Sequence, residues 1–240
     1  MNASIKDTLT VTVADGSFQC YVARPADSGS APVIAPVIVV LQEIFGVNAG
    51  IRSICDDYAA KGYIAVGPDL FWRAAPGLDM SEASPGDWER GFALYSAYDF
   101  GAGVGDIAAT VAAARAMTGA SGKVGVTGYC LGGLMTFLTA ARADADAFVA
   151  YYGGATENYA VEGANVKRPL LYHLAGDDEY IGKDAQAVIH AALEDNANIA
   201  MHTYPGCNHA FARPGGDHYD ANAATLANGR TDAFFKQHLN

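Results

Sequence analysis

Hydrophobic and polar residues alternate along the first part of the chain and then give way to short, almost entirely apolar runs. Residues 8–13 and 17–23 alternate on either side of Asp15-Gly16, a dipeptide typical of hairpin turns, and predict an antiparallel β-hairpin. The later runs have the length of buried strands and lie at 36–41, 63–67, 123–128, 147–153, 169–176 and 198–204.

Segments with helical periodicity separate these runs. They lie at 50–60, 86–98, 104–117, 131–142, 183–194 and 220–238. The alternation predicts an α/β fold: a mostly parallel central sheet with an antiparallel N-terminal hairpin and helices on both faces. Such a sheet places functional loops at the carboxyl ends of its strands. Without a linker or repeat, we expect one domain over residues 1–240. The irregular stretch 73–87 is either a lid or pocket wall or a solvated loop.

Composition excludes some classes of protein. Hydrophobic residues make up 51% of the 240 residues, enough for a sizeable core. The longest apolar run, Val33 to Leu41, is interrupted by Pro36 and is shorter than the roughly 18 residues that span a bilayer. Residues 1–16 lack the basic start and continuous apolar segment of a secretory signal. We therefore expect a cytoplasmic protein without a membrane span; the sequence indicates no particular oligomeric state.

The net charge of −11 argues against nucleic acid as a partner, because it repels polyanions and no basic run compensates for it. The same negative charge would repel an anionic small molecule, so a site for such a molecule would need an arginine to attract it. The four cysteines show neither paired spacing nor histidine-rich metal spacing. We expect reduced thiols, no metal and no organic cofactor.

The segment "VTGYCLGG" at 126–133 carries the first candidate for chemistry. A short apolar strand before Gly128 and an apolar helix after Cys130 fit a nucleophile elbow, here with cysteine in place of serine. Glycines at 128, 132 and 133 would let strand and helix cross closely. The helix N-terminus favours a thiolate. We therefore predict that Cys130 is a nucleophile rather than a small core residue.

A thiol nucleophile needs a base, and the base needs an orienting carboxylate. Asp177 and Asp178 follow the strand predicted at 169–176, and His209 follows the strand at 198–204. The order nucleophile, acid, histidine is that of α/β-hydrolases. Spacing alone does not choose between the two aspartates. The remaining histidines lie inside predicted elements or in polar stretches and are expected to be structural or solvated: His173, His190, His202, His218 and His238.

The loop after the strand at 36–41 carries Glu43 and Ile44. Taken alone, Glu43 is more readily explained as a solvated carboxylate at a strand end. In an α/β-hydrolase this loop supplies the second oxyanion donor, so we predict that the N–H groups of Ile44 and Leu131 bind the developing negative charge. Glu43 would then face the thiol of Cys130.

Four separated motifs give the chain its resemblance to the dienelactone hydrolase (carboxymethylenebutenolidase) family, over nearly its whole length. They are "QEIFGVN", "PDL" at 68–70, "GYCLGG" and "HAFAR" at 209–213. The resemblance implies that Cys130, Asp178 and His209 form a catalytic triad, with Asp178 preferred over Asp177 by the family pattern. It also gives Glu43 the role of holding and activating the thiol.

The resemblance further implies that Arg213 binds a substrate carboxylate, which would supply the expected local cation. The second carboxylate-binding arginine of the dienelactone-specific members is replaced here by Trp88, and neither Arg73 nor Arg90 aligns with it. We also expect Phe45 and Tyr152 to contact the substrate.

Together these features predict a hydrolase that opens a small, carboxylate-bearing lactone or enol ester through a thioester intermediate. The alternative is a cysteine-dependent esterase or thioesterase that acts on neutral esters, which Trp88 favours. A catalytically silent ligand-binding protein is a more distant alternative, since a fold does not define a function.

Overall fold

Eight strands form one mixed sheet in the computed structural model, which describes residues 5–26 and 34–240. The strands are β1 (Ile5–Val13), β2 (Gly16–Arg24), β3 (Ala35–Leu41), β4 (Ile64–Pro68), β5 (Ala120–Tyr129), β6 (Ala147–Tyr151), β7 (Leu170–Ala175) and β8 (Ile199–Tyr204). Their order in the sheet is β1-β2-β4-β3-β5-β6-β7-β8. The eight strands predicted from the apolar pattern are therefore confirmed.

Within the described residues, six α-helices lie between or after these strands: α1 (Ala49–Ala60), α2 (Pro85–Ser96), α3 (Phe100–Arg115), α4 (Leu131–Arg142), α5 (Lys183–Leu193) and α6 (Ala221–Leu239). Each corresponds to a predicted helical segment. Side-chain caps explain several starts, because Asn48, Ser84, Asp99 and Asp220 each accept an N–H from the first turn. The 3₁₀ helix Thr156–Asn165 was not predicted.

Antiparallel pairing occurs at the N-terminal hairpin. β1 and β2 pair from Ile5 opposite Arg24 to Val13 opposite Gly16, which confirms the hairpin around Asp15-Gly16. β2 also runs antiparallel to β4. The pairs β3 with β4, β6 with β7 and β7 with β8 are parallel. The predicted mostly parallel sheet with an antiparallel hairpin is therefore correct.

By its internal contacts the chain divides into two compact units, Met1–Val126 and Thr127–Asn240. The expectation of a single domain stays a prediction. In the first unit the buried strands β3 and β4 carry the core. In the second unit α4 is buried over most of its length, together with β6 and β7.

The stretch 73–87 is attached to the rest of the first unit. Gly46 and Asp79 form a β-bridge, the N–H of Met80 donates to the carbonyl of Phe45, and the amide of Asn48 donates to the carbonyl of Met80. Leu78 and Met80 are buried. This segment is therefore not simply a solvated loop.

Among residues 5–26 and 34–240, no helix is both long and apolar enough to cross a membrane. Val33, the first residue of the longest apolar run, lies outside the described residues.

Candidate active site

Cys130 lies at a sharp turn between β5 and α4. Its backbone angles, φ 54° and ψ −114°, belong to a region that non-glycine residues rarely adopt. Its N–H donates to the carbonyl of Tyr151 (3.2 Å), and its carbonyl accepts the N–H of Leu134 (3.1 Å). The strained residue therefore connects the strand to the first turn of the helix, as the elbow pattern predicts.

Two glycines allow this turn to pack. A Cβ at Gly128 would overlap the carbonyl oxygen of Gly132, and a Cβ at Gly133 would overlap the carbonyl oxygen of Tyr151. Both oxygens belong to the backbone, so they could not move aside as the end of a flexible side chain would, and the strand or helix would have to shift. The absence of a Cβ at these two glycines lets α4 begin directly after Cys130.

Asp178 and His209 are hydrogen-bonded across two loops that follow β7 and β8. His209 Nδ1 lies 2.9 Å from Asp178 Oδ2 and 3.1 Å from Asp178 Oδ1. Asp178 Oδ1 also accepts the N–H groups of Tyr180 (2.9 Å) and Ile181 (3.1 Å). Both side chains are almost completely buried. The carboxylate is thus fixed by its own loop and in turn orients the imidazole.

The other ring nitrogen, His209 Nε2, is buried, and no described residue forms a hydrogen bond of regular geometry with it. Burial lowers the pKa of His209, but the negative charge of Cys130 and the hydrogen bond and charge of Asp178 raise it further, so that the net pKa is about 10. Cys130 is therefore within electrostatic range of the ring. An imidazole in this setting accepts a proton readily.

Asp177, the aspartate that spacing could not exclude, has a different environment. Its side chain is exposed and pairs with Lys183 at 2.9 Å. The lysine hydrogen bond lowers the pKa of Asp177, as expected for a surface ion pair. Asp178, not Asp177, is the carboxylate bonded to His209.

Cys130 differs from the other three cysteines in exposure. Cys20, Cys55 and Cys207 are buried, whereas Cys130 is partly exposed. Burial raises the pKa of all three buried thiols, that of Cys20 to about 12. Burial thus favours the neutral thiol in these three, and Cys130 is the cysteine with partial access to solvent.

Two tyrosine rings pack against His209. Tyr152 is completely buried, has a positive φ of 37°, and lies 5.1 Å from the imidazole between ring centroids. Tyr180 lies 4.9 Å from it, edge to face, and is 47% exposed. Burial is the main cause that raises the pKa of Tyr180; the charge of Cys130 adds to this rise and that of Arg213 opposes it.

The charges of Cys130 and of the partly buried Arg213 therefore act on the same phenol. Sequence reasoning did not identify Tyr180, although it stands two residues after Asp178.

In the first unit, Glu43 follows β3 and is only 6% exposed. The interpretation of Glu43 as a solvated carboxylate is therefore wrong. The neighbouring Gln42 accepts the N–H of Leu70 (3.0 Å) and donates to the carbonyl of Glu43 (3.3 Å). Ile44 is also buried. The "QEIFGVN" and "PDL" motifs are thus joined by a buried amide.

The aspartate of "PDL" has a structural role in the same unit. Asp69 accepts the N–H groups of Phe71 (3.0 Å) and Gly77 (2.7 Å) and thereby holds the beginning of the 73–87 stretch. Burial raises the pKa of this carboxyl, and the two N–H donors oppose the rise.

Trp88 belongs to an aromatic cluster of the first unit. Its ring meets Phe45 edge to face at 4.8 Å and stacks on Phe92 at 5.6 Å. Its Nε1 donates to the carbonyl of Glu82 (2.8 Å).

Arg73 and Arg90, the other two arginines considered for binding a substrate carboxylate, have different environments. Arg73 is bonded to Asp15 and Asp106 and covers the ring of Trp72. Arg90 is exposed on α2.

A groove of about 610 Å³ in the first unit contains none of the predicted site residues. It is lined mainly by apolar groups, including Phe18, Trp72 and Leu78, with the ion pair of Arg52 and Asp79 at 3.0 Å. In the described part of the chain, no group of three or more histidine, cysteine or acidic side chains could hold a metal ion.

Residues 18–239 match the sequence profile of the dienelactone hydrolase family. A protein of Azospirillum brasilense is 44% identical over 231 residues, which cover 94% of this chain and 95% of that protein. A carboxymethylenebutenolidase of Pseudomonas putida is 39% identical over 227 residues, 94% of each chain. A solved structure from Klebsiella pneumoniae, of the dienelactone hydrolase type, superposes with a TM-score of 0.82 at 28% identity and covers 98% of this chain and 100% of that one.

Proposed function

Because this chain belongs to the dienelactone hydrolase family and has the α/β-hydrolase fold, we propose that it opens a small lactone bearing a carboxylate through Cys130, His209 and Asp178. Its class is that of a hydrolase acting on ester or lactone bonds. The observation that carries the mechanism is the buried His209, oriented by Asp178 and electrostatically coupled to Cys130.

In the first half of the reaction, Cys130 attacks the lactone carbonyl as a thiolate, while His209 carries a proton on Nε2. The negative oxygen of the tetrahedral intermediate is stabilised by the N–H of Leu131, the first residue of α4, where helix N–H groups have no partner within the helix. Collapse breaks the ring C–O bond, and the leaving oxygen takes the proton from His209. The product is a thioester whose acyl chain still carries that oxygen.

In the second half, His209 removes a proton from water, and the resulting hydroxide attacks the thioester. The C–S bond breaks, the acid leaves, and the thiolate of Cys130 is restored beside the protonated His209. Asp178 stays ionised throughout and stabilises each imidazolium that forms. We propose that Ile44 supplies a second N–H donor and that Glu43 holds and activates the thiol, as the resemblance implies.

We assign the substrate carboxylate to Arg213, since guanidinium groups bind carboxylates through two parallel hydrogen bonds. Trp88 stands where the dienelactone-specific members have their second arginine, so this protein would hold the anion with one arginine. The aromatic cluster of Phe45, Trp88 and Phe92 favours a flat apolar substrate group and supports a second candidate, a neutral ester.

Side-by-side hydrolysis of a carboxylated dienelactone and a neutral aryl ester tests this assignment. Replacing Cys130 by Ala is expected to reduce both activities by roughly 10³- to 10⁶-fold. Arg213→Gln should raise KM for the dienelactone at least about 10-fold more than for the aryl ester, because only the former offers an anion. Arg90→Gln, which removes an exposed arginine, is the matched control and should change neither KM.

Activity that survives in Cys130→Ala would overturn the mechanism. Equal effects of Arg213→Gln on both substrates would show that Arg213 does not recognise the anion. Wild-type activity on the aryl ester alone would establish the neutral-ester alternative.

A further inference from the structure

Asn208 lies between the two loops that carry Asp178 and His209. Its side-chain oxygen Oδ1 accepts the N–H of Glu179 at 2.9 Å and the N–H of His209 at 2.6 Å. Glu179 directly follows Asp178 along the chain, and His209 directly follows Asn208. One amide oxygen thus connects the backbone beside the acid with the backbone of the base.

The orientation of this amide is determined by its partners. Both groups on Oδ1 are N–H donors, so an oxygen and not the NH₂ group must face them. The NH₂ group is therefore directed to its own neighbour, His218, whose Nε2 lies 3.3 Å from Asn208 Nδ2. Since Nδ2 can only donate, Nε2 of His218 must accept, and the ring proton is on Nδ1.

The remaining contacts of His218 agree with this tautomer. Its Nδ1 lies 3.2 Å from the carbonyl oxygen of His209 and 3.4 Å from Glu179 Oε1, and both of these atoms are acceptors. Asn208 and His218 thus bind the N–H and the C=O of His209 from two sides. The backbone of the general base is held at both of its polar groups.

We propose that Asn208 is a positioning residue that keeps Asp178 and His209 in register, with His218 maintaining the orientation of the Asn208 amide. This inference rests on the proposed function, because only there do the two loops have to deliver an acid and a base. The hydrogen bond from the N–H of Asp177 to the carbonyl of Cys207 (2.8 Å) joins the same loops one step away but fixes neither Glu179 nor His209. A displacement of about 1 Å at a catalytic group can cost about 100-fold in rate.

Two substitutions separate the acceptor role of Asn208 from general stability. Asn208→Ala removes the oxygen and should lower kcat about 10- to 100-fold with little change in KM, since Asn208 does not bind the substrate. Asn208→Asp keeps an oxygen in that place and should remain within about 5-fold of wild-type kcat. Asn196→Ala is the matched control: Asn196 donates to the carbonyls of Gly163 and Val166, so its loss should affect stability and leave kcat unchanged.

A second readout does not depend on turnover. The proton between His209 Nδ1 and Asp178 should give a separate downfield ¹H signal, which we expect in wild type, Asn208→Asp and Asn196→Ala. In Asn208→Ala this signal should broaden or vanish through faster exchange with water.

Wild-type kcat together with an intact signal in Asn208→Ala would overturn the positioning role, and so would equal losses in the Ala and Asp variants. Failure of the proposed function has a different signature, namely activity retained by Cys130→Ala. In that case the proton signal still decides the role of Asn208.

Discussion

Two histidines are buried in the second unit, and their environments shift their pKa values in opposite directions. Burial lowers the pKa of His173 to about 3, with further lowering from His202 and Arg230. Burial also lowers the pKa of His209, but Cys130 and Asp178 raise it to a net value of about 10. Both side chains are almost inaccessible to solvent. The opposite pKa shifts of the two histidines therefore come from their neighbouring groups and not from a difference in burial.

His173 lies in a chain of hydrogen bonds, and its two direct partners are hydroxyl groups. Arg230 donates to the hydroxyl of Tyr204 (3.1 Å), which lies 2.8 Å from His173 Nδ1. His173 Nε2 lies 3.0 Å from the hydroxyl of Thr231, which lies 2.5 Å from that of Tyr151. Because Tyr204 accepts from Arg230, its own proton is directed to Nδ1, so His173 is neutral and donates through Nε2.

The comparison shows how hydrogen-bond partners distinguish the two buried histidines. His173 has both ring nitrogens satisfied by uncharged groups, whereas His209 has one nitrogen on a carboxylate and the other without a regular partner. The first arrangement stabilises one protonation state. The second leaves a nitrogen available for proton transfer.

The largest expected effect comes from exchanging each histidine for glutamine. His209→Gln should reduce hydrolysis of the preferred substrate by roughly 10³- to 10⁶-fold, because the base is lost. His173→Gln should stay within about 10-fold of wild type, since glutamine can both donate and accept. Initial rates with matched protein folding, checked by circular dichroism, measure both. Similar losses in the two variants would remove the distinction between them.

The second effect concerns stability in acid. The pKa of His173 is lowered on folding, so the unfolded chain binds a proton at this residue below about pH 6.5 while the folded chain does not until about pH 3. Stability linked to His173 is thus complete above pH 6.5 and falls by about 1.4 kcal/mol per pH unit below it. His209 adds little to this slope, because its raised pKa leaves it protonated in both states at low pH.

Urea unfolding of wild type and His173→Gln between pH 7 and pH 4 measures this contribution. The free energy of unfolding of wild type should fall more steeply with decreasing pH than that of the variant. Parallel curves would mean that His173 takes up its proton equally in both states, contrary to the burial argument.

The smallest effect is expected at the aspartate that spacing could not distinguish from Asp178. Asp177→Asn removes only an exposed ion pair with Lys183, so kcat should change by less than about 2-fold and stability should be nearly unchanged. Asp178→Asn, as the paired measurement, should lower kcat by orders of magnitude because the imidazole loses its orienting charge. A large loss of kcat in Asp177→Asn would mean that Asp177, and not Asp178, is the carboxylate of the proposed triad.

Hydrophobic periodicity was sufficient to predict the strands and helices, because the buried strands are nearly apolar and the apolar spacing of the helical segments differs from theirs. The 3₁₀ helix Thr156–Asn165 was missed since its residues show no regular apolar spacing. The burial of Glu43 was not predicted for a related reason. A carboxylate in a loop is expected to be solvated when the residues that cover it are not known.

The contacts of Asn208 and Tyr180 were also not visible in the sequence. Asn208 is a common loop residue, and only the contact with Glu179, 29 positions away, distinguishes it. Tyr180 similarly gains meaning from its ring contact with His209.

The sequence by itself determined the order of the elements, the cysteine turn with its glycines and the set of titratable residues at strand ends, because each depends on local patterns of a few residues. Only the tertiary structure decided which aspartate bonds to His209, which histidine is neutral and which thiols are buried. These properties depend on the charges and hydrogen bonds that surround each group. Residues far apart along the chain supply them, and the fold brings them together.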